Sequence, residues 1–159
     1  MMIKPFLKWA GGKTQLLKNI RELYPNNIDT YYEPFIGGGA VFFDLAPKKY
    51  LISDSNPELI NVYKTVATNP MELVEKLSCM KNTPEFFYEL RSLKYSDMDK
   101  VSAAARTLYL NKTCFNGLYR VNRKGAFNVP YGKYKNPDFI QKEIIFSCSK
   151  LLKSKNIKC

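Results

Sequence analysis

The chain contains no histidine, and its four cysteines, at positions 79, 114, 148 and 159, are too widely spaced to form a Cys-x-x-Cys pair. These absences argue against a structural zinc site, against a histidine-containing catalytic triad and against a framework of disulfides. We therefore expect reduced thiols, at least two of them in the core, and no bound metal ion.

Long hydrophobic runs are also missing. No stretch approaches the roughly 18 apolar residues that cross a bilayer, and the N-terminus, Met1-Met2-Ile3-Lys4-Pro5, lacks the features of a signal peptide. The 159 residues, 45% hydrophobic and 14% aromatic, are enough for one domain with a real core and too few for two. The sequence predicts a folded cytoplasmic protein with no membrane partner.

Acidic residues are absent between Asp99 and Asp138, although the net charge of the chain is +11. The same interval contains eight basic residues, namely Lys100, Arg106, Lys112, Arg120, Arg123, Lys124, Lys133 and Lys135. Unopposed positive charge creates a field suited to a phosphate backbone. The alternative is a lysine-rich surface that only aids solubility, but the gap in acids favours nucleic acid.

Residues 31–39, Tyr-Tyr-Glu-Pro-Phe-Ile-Gly-Gly-Gly, join an apolar run to three glycines, and an amphipathic segment follows at 40–45. This order predicts a buried strand, a tight turn and a helix. Glycines allow the backbone to adopt dihedrals forbidden to other residues and to approach a ligand closely, and a helix start presents free N–H groups. A nucleotide-like cofactor would suit this turn, although many glycine-rich turns only reverse the chain.

A second short strand is predicted at 49–53, and Asp54 follows it fifteen residues after Gly39. In dinucleotide-binding folds an acidic residue at this place accepts hydrogen bonds from ribose hydroxyls. Alternatively, Asp54 forms the turn into the next helix with Ser55 and Asn56. Both roles can hold at once.

The segment 5–13 contains the only tryptophan, Trp9, next to Gly11, Gly12 and Lys13. These residues could form a flexible corner that faces a phosphate or carboxylate beneath an aromatic lid, although packing of Trp9 and capping of a loop by Lys13 is the more common outcome. The spacing differs from that of a nucleotide-hydrolase P-loop.

Several helices are predicted from apolar spacing and capping residues. One runs from Thr14 to before Pro25, and three begin at Asn56-Pro57, Asn69-Pro70 and Thr83-Pro84. A further helix spans about 100–112, and the last runs from Asn136-Pro137 to about Lys153. Residues 156–159 resemble the start of a strand. The middle helices, including the aromatic stripe of Phe86 and Phe87, are expected to pack as a small bundle beside the sheet.

Between 114 and 134 the helical periodicity stops, and aromatic residues alternate with cations and amides. Arg123-Lys124-Gly125 can form the turn of a β-hairpin between 118–122 and 126–129. A ribbon rich in Arg and Asn can donate to guanine and adenine edges in a major groove, and its aromatics can wedge into a base stack. A purely structural hairpin would more often carry Thr, Ser or Glu on its solvent face.

With these residues together, the chain resembles the Dam-like (D12 class, DpnM-type) DNA adenine-N6 methyltransferases. The resemblance covers nearly the whole chain and rests on residues 6–13 (Phe-Leu-Lys-Trp-Ala-Gly-Gly-Lys), 33–39 (Glu-Pro-Phe-Ile-Gly-Gly-Gly), Asp54, and 115–120 (Phe-Asn-Gly-Leu-Tyr-Arg) with 125–132. It implies an α/β fold, with an incomplete Rossmann-like S-adenosylmethionine-dependent methyltransferase sheet and an inserted helical bundle and β-hairpin for DNA recognition. By the same resemblance, residues 1–55 begin the cofactor-binding catalytic domain, 56–137 form the target-recognition region with its hairpin at about 115–132, and 138–159 return to the catalytic domain.

The resemblance further implies methyl transfer from S-adenosyl-L-methionine to adenine in duplex DNA, with GATC as the expected site. The implied cofactor-binding residues are Trp9, Gly11, Gly12, Lys13, Phe35, Gly37, Gly39 and Asp54, with Asp54 on the ribose and the glycine turn beneath the methionine end. The implied DNA-binding residues are Lys8, Arg91, Phe115, Asn116, Leu118, Arg120, Asn122 and Pro130. Among these, Arg120 would contact guanine and Phe115 would lie beside the flipped adenine.

The chain departs from the family in one respect. Catalysis in this class depends on an Asp-Pro-Pro-Tyr tetrapeptide, and none of the nine prolines here is followed by another proline. The family places that motif shortly after the point where this chain ends. We therefore expect no catalytic residue in this chain, no activity of the chain alone, weak cofactor binding and self-association through an exposed sheet edge.

Three alternatives stay open: a non-catalytic DNA-binding remnant, one half of a split methyltransferase, and an RNA-directed methyltransferase, which the hairpin does not favour. The sequence also leaves open whether the parent enzyme belongs to a restriction–modification system.

Overall fold

The structure is a computed structural model that describes residues 3–159, apart from the side chain of Ser154; Met1 and Met2 lie outside the described residues. Over this range the chain forms a mixed α/β fold, as expected. The strands are β1 (Tyr31–Glu33), β2 (Tyr50–Ser53) and β3 (Ile157–Lys158). The helices are α1 (Leu17–Arg21), α2 (Ala40–Leu45), α3 (Pro57–Thr68), α4 (Pro70–Ser78), α5 (Pro84–Ser92), α6 (Lys100–Thr113) and α7 (Lys142–Leu151). Short 3-10 turns occur at Lys13–Leu16, Tyr95–Asp97, Phe115–Gly117 and Ser154–Asn156.

The sheet is parallel throughout, in the order β1-β2-β3. Tyr50 and Ile52 point into the core, whereas Tyr32 and Leu51, paired with each other on the opposite face, are 68% and 38% exposed. The expectation that β1 is buried is therefore wrong for one face, because nothing in residues 3–159 covers it. The strand predicted at 156–159 is confirmed as β3.

Three helices begin with proline at the predicted positions. The side-chain oxygen of Asn56 accepts hydrogen bonds from the N–H groups of Glu58 (3.0 Å) and Leu59 (3.2 Å), and Thr83 caps α5 in the same way. Asn69 precedes Pro70 but caps nothing, since its side-chain oxygen accepts from the hydroxyl of Thr68 (2.7 Å). The capping role predicted for Asn69 is wrong, although α4 still begins there.

Helix α3 lies at the centre of the fold and packs against α4, α6, α7 and β3, while α6 also contacts α4 and α5. Ala104 and Ala105 are fully buried, and their small side chains permit close packing of α6. Tyr63 and Leu59 of α3 are also fully buried. Phe86, predicted in the core, is only partly buried.

Two helix predictions are wrong in extent. The first helix is only the 3-10 turn followed by α1, and Leu16 (51% exposed) and Leu23 (80% exposed) do not form a core face. The last helix begins at Lys142 instead of Asn136. The rings of Phe139 and Tyr109 lie 5.0 Å apart, and the Gln141 amide donates to the Phe6 carbonyl (3.0 Å). Residues two apart cannot share one face of a helix, so this arrangement requires irregular backbone.

The segment 115–132, called here the 115–132 loop, doubles back without forming regular strands. Its antiparallel pairing consists of two isolated bridges, one between Val121 and Phe127 and one that joins Tyr131 to Cys114. The first is supported by hydrogen bonds from Asn122 N to Ala126 O (2.9 Å) and from Asn128 N to Arg120 O (3.0 Å). The predicted turn is present and the two predicted strands are not. Burial of Phe127 and Val129 anchors the segment in place of a ladder.

Candidate functional site

A cavity of about 340 Å³ lies beside the glycine turn. Its wall is formed by three segments that are distant in sequence, the N-terminal corner, the turn after β1 and the end of β2. All eight residues expected at a cofactor line it: Trp9, Gly11, Gly12, Lys13, Phe35, Gly37, Gly39 and Asp54. The volume falls in the range of small-molecule sites.

Backbone geometry shapes the glycine turn. Gly37 (φ +48°) and Gly39 (φ +69°) adopt left-handed conformations that favour glycine. The N–H of Gly37 donates to Asp54 Oδ2 (3.0 Å), and the Tyr63 hydroxyl donates to the Gly37 carbonyl (2.9 Å). The turn is thus fixed between the end of β2 and the core of α3.

Trp9 packs directly on this turn. A Cβ at Gly37 would lie 2.9 Å from Trp9 Cδ1, and one at Gly38 would lie 3.0 Å from Trp9 Cβ. The indole ring also stacks on Tyr119, with ring centroids 5.1 Å apart and planes inclined by 26°. Trp9 therefore packs, as expected from the more common outcome, and it also lines the cavity.

Asp54 has the turn-forming role considered for it, and it also lines the cavity. Its Oδ1 accepts from the N–H of Asn56 (3.1 Å), which starts the turn into α3, while Oδ2 accepts from Gly37. A carboxylate offers about four acceptor positions, so Asp54 can also accept from a group inside the cavity.

Opposite charges face each other in the cavity. The ammonium of Lys13 donates to the carbonyl of Gly11 (2.8 Å), and the hydroxyl of Tyr31 donates to Glu33 Oε2 (2.7 Å). Burial raises the pKa of Glu33, and the Tyr31 hydrogen bond and the charge of Lys13 oppose that rise. Glu33 was missed as a site residue, although an acidic side chain directly before Pro-Phe in the glycine motif was a usable signal. Phe35, 81% exposed, stands at the mouth.

The 115–132 loop brings together several of the residues expected at DNA. Phe115, 52% exposed, donates its N–H to the carbonyl of Pro130 (2.9 Å). Asn116 adopts a left-handed conformation (φ +54°) and donates its N–H to the hydroxyl of Tyr134 (3.1 Å). Leu118 is partly buried against the core.

Arg120 is exposed and held by its neighbour across the loop. Its Nε donates to Asn128 Oδ1 (2.7 Å), and its Nη2 approaches the carbonyl of the same residue (3.3 Å). Asn122 instead stabilises the turn, accepting from Lys124 N (2.9 Å) and Ala126 N (3.1 Å). Arg91 donates to the carbonyl of Val129 (3.1 Å) and so supports the far end of the loop.

A buried amide joins the N-terminal segment to this loop. Asn111, 1% exposed, accepts from Lys8 N (2.9 Å) and donates to the carbonyls of Lys8 (2.7 Å) and Gly117 (3.1 Å). The ammonium of Lys8 lies over the ring of Tyr134, 5.3 Å from its centroid. Neither Asn111 nor Tyr134 was expected at the site, and for Asn111 no sequence signal exists, because it is one polar residue within a helix.

Comparison with known proteins identifies the family. The family of D12 class N6 adenine-specific DNA methyltransferases matches residues 9–159. The chain belongs to this family. Similar proteins include the type II methyltransferase M1.LlaDCHI of Lactococcus lactis subsp. cremoris, 48% identical over 98% of this chain and 57% of the relative. They also include the type II methyltransferase M.MjaIII of Methanocaldococcus jannaschii, which is 46% identical over 100% of this chain and 62% of the relative. The DNA adenine methylase of Haemophilus influenzae is 38% identical over 92% of this chain and 53% of the relative. The chain spans about half the length of the curated relatives it matches.

The charge pattern of this D12-class methyltransferase chain differs from expectation at one position. Arg106 is 2% exposed, contacts Glu58 Oε2 at 3.4 Å and donates to the carbonyls of Leu90 and Arg91 (both 3.1 Å). It therefore does not belong to the unopposed positive surface, because a carboxylate from α3, distant in sequence, neutralises it. Lys112 is also partly buried, and its pKa is lowered to about 8 by burial and by the charge of Lys8.

Within the part of the methyltransferase chain that the structure describes, no helix is both long enough and apolar enough to cross a membrane.

Proposed function

We propose that this chain carries the cofactor-binding and DNA-contacting parts of a cytoplasmic DNA adenine-N6 methyltransferase that acts on a short duplex site, with GATC as the expected sequence. The observation that carries the proposal is the cavity at the glycine turn, because all eight residues implied by the family resemblance line it. Residues 1–55 and 138–159 would belong to the catalytic domain, and 56–137 to target recognition.

The cavity suits S-adenosylmethionine in shape and charge. Asp54 would accept hydrogen bonds from ribose hydroxyls, and the turn at Gly37 and Gly39, which lines the cavity, would lie beneath the methionine end. Lys13 and Glu33 have the opposite charges needed by the carboxylate and ammonium of an amino-acid end. When bound, S-adenosylmethionine supplies a methyl group that its sulfonium makes electrophilic without a metal.

The DNA-contacting surface would be the 115–132 loop with Lys8 and Arg91. Arg120 has a guanidinium oriented by Asn128 and exposed to solvent, which suits bidentate contact with guanine. Phe115, at the start of the loop, is exposed and could fill the space beside a flipped adenine. Asn111 links this loop to the segment that leads into the cavity.

We further propose that the 159-residue chain by itself does not transfer a methyl group, because it contains no Asp-Pro-Pro-Tyr sequence. A second segment carrying that motif would complete the enzyme, as a separate polypeptide or as further chain. The side of β1 that faces away from β2, and the open sheet face at Tyr32 and Leu51, offer a place for it.

A second candidate function is a non-catalytic protein that occupies methylation sites. The absence of the tetrapeptide favours it, since the loop and cavity do not depend on that motif. The two candidates differ in whether supplying a polypeptide with Asp-Pro-Pro-Tyr restores methyl transfer.

The first experiment is a gel-shift titration of the purified chain against a GATC duplex and a scrambled duplex. It is run at two salt concentrations, with and without S-adenosylmethionine. We expect a preference for GATC that persists at the higher salt, because base contacts depend less on salt than phosphate contacts. If both duplexes bind equally and this binding is lost at the higher salt concentration, the result contradicts recognition of a specific site. Methyl transfer by the chain alone would contradict the proposed inactivity.

A further inference from the structure

Tyr119 occupies a position between the 115–132 loop and the cavity. Its ring stacks on Trp9 and meets the ring of Phe127 edge to face, with centroids 5.8 Å apart and planes at 62°. Burial raises the pKa of its hydroxyl to about 12, and the nearby side chains of Glu58 and Asn56 also shift that pKa. Tyr119 therefore contacts Phe127 in the second half of the loop and Trp9, the tryptophan that lines the cavity.

Tyr119 is connected to the cavity through Trp9 and the glycine turn. Through its ring it holds Trp9, which in turn packs on Gly37 and Gly38 so closely that no Cβ fits between them. Gly37 in turn donates its N–H to Asp54 Oδ2 (3.0 Å). A shift of Tyr119 would therefore displace Trp9, and with it the glycine turn and the Asp54 carboxylate that is proposed to bind the ribose.

Phe127, the ring partner of Tyr119 within the loop, is buried, whereas the tip of the loop at residues 120–126 is exposed. The 115–132 loop has two isolated bridges in place of a ladder, Val121 with Phe127 and Tyr131 with Cys114, and Arg120, the neighbour of Tyr119, is exposed and oriented by Asn128. Segments with few backbone pairs open at low free energy, so a bound duplex can change their arrangement.

We propose that Tyr119 is a positioning residue that couples the 115–132 loop to the cofactor cavity through its stack on Trp9. Duplex binding that orders the loop would fix Tyr119 and Trp9, and cofactor binding at the turn would do the same from the other side. The two ligands then strengthen each other's binding by the same factor, as thermodynamic linkage requires. This inference rests on the proposed function, because it needs both ligands.

The chain offers a direct reporter, since Trp9 is its only tryptophan. We would record the fluorescence emission of Trp9 while adding a GATC duplex or S-adenosylhomocysteine, the demethylated form of the cofactor. Duplex affinity would be measured separately by the anisotropy of a labelled GATC duplex. The wild-type chain should change its Trp9 emission on adding duplex alone, and saturating S-adenosylhomocysteine should tighten duplex binding roughly threefold to tenfold, the effect of one aromatic stack.

Two variants separate the ring from the hydroxyl. Tyr119→Phe keeps the stack and should keep both the emission change and most of the coupling. Tyr119→Leu removes the stack. The ratio of the duplex Kd without S-adenosylhomocysteine to the Kd with it, which measures the coupling, should then be close to one, even if either affinity changes by itself. The matched control is Tyr131→Leu, which removes another aromatic ring of the same loop, one that packs on Phe87 with centroids 5.3 Å apart. It can weaken duplex binding but should leave the coupling intact.

The outcomes distinguish this inference from the proposed function. A wild-type chain that binds the duplex without changing Trp9 emission overturns the coupling, and this measurement does not depend on any variant folding. Coupling that survives in Tyr119→Leu, or that is lost equally in Tyr131→Leu, also overturns it. A wild-type chain that binds no duplex at all overturns the proposed function itself, and the coupling with it.

Discussion

The hydroxyl oxygen of Tyr63 lies 2.6 Å from the position that a Cβ on Gly39 would occupy. Two ring carbons of Phe43 lie 3.0 and 3.1 Å from the same position. Tyr63 cannot withdraw easily, because it is fully buried and donates to the Gly37 carbonyl. The third glycine of the motif is therefore required by packing as well as by its φ of +69°.

We predict that Gly39→Ala lowers the free energy of unfolding by roughly 2–4 kcal/mol, because left-handed strain and overpacking add. The control is Gly125→Ala in the 115–132 loop, where φ is +76° but no atom lies within 4 Å of the new Cβ. That variant should lose only about 1 kcal/mol, from backbone strain alone. Urea unfolding followed by circular dichroism measures both, and equal losses would show that the contact with Tyr63 does not matter.

How much the sequence could predict depended on the range of each interaction. The glycine turn, the proline-initiated helices and β3 follow from signals within a few residues, and these are confirmed. The grouping of Trp9, Lys13 and Asp54 at one cavity was expected only through the family resemblance, since their spacing alone left simpler interpretations open. Local chemistry was therefore a good guide to elements and a poor one to contacts between them.

The errors arose where tertiary contacts override local preference. The helix expected from Asn136 begins six residues later because Phe139 and Gln141 both turn inward. Arg106 looked like part of a basic surface, but its partner Glu58 is 48 residues away. Pairing at such distances cannot be inferred from spacing or charge runs.

The buried pair of Glu58 and Arg106 predicts a pH dependence of stability. Burial raises the pKa of Glu58 above its ordinary value of 4.5, although the charge of Arg106 opposes this. The native state therefore binds more protons than the unfolded chain just above pH 4.5, and the contribution of Glu58 to stability falls as the pH rises through that window. Glu58→Gln replaces the titrating carboxyl with an amide, so the free energy of unfolding of this variant lacks this contribution to the pH dependence.

Urea unfolding of both proteins between about pH 4 and pH 7 tests this. The free energy of unfolding of the wild type, relative to that of Glu58→Gln, should be highest at the acidic end. The difference between the two proteins should shrink as the pH rises. A difference that grows with pH would mean that Arg106 outweighs burial and lowers the pKa of Glu58.

The four thiols should differ in reactivity. Cys114 and Cys148 are fully buried, which raises the pKa of their thiols to about 11 and about 12, whereas Cys79 and Cys159 are exposed. Because the thiolate is the reacting form, iodoacetamide at about pH 8 should add two labels to the native chain and four after denaturation. Intact-mass spectrometry counts them. A third label under native conditions would contradict the packing of Cys114 or Cys148, and Cys79→Ser should remove one native label.

The proposed contact of Arg120 with guanine, oriented by the hydrogen bond from Arg120 to Asn128, predicts how substitutions change the preference among DNA sequences. Arg120→Lys keeps the charge but loses the planar fork, so it should reduce the preference for GATC over a scrambled duplex by about 1–3 kcal/mol, roughly fivefold to 150-fold. Asn128→Ala, which frees the guanidinium from its 2.7 Å contact, should reduce the preference less. The control is Lys124→Ala, an exposed cation at the tip of the same loop that should weaken both duplexes equally. Anisotropy titrations with the two duplexes give the ratio, and an Arg120→Lys variant that weakens both to the same extent would assign Arg120 to the phosphate backbone instead of a base.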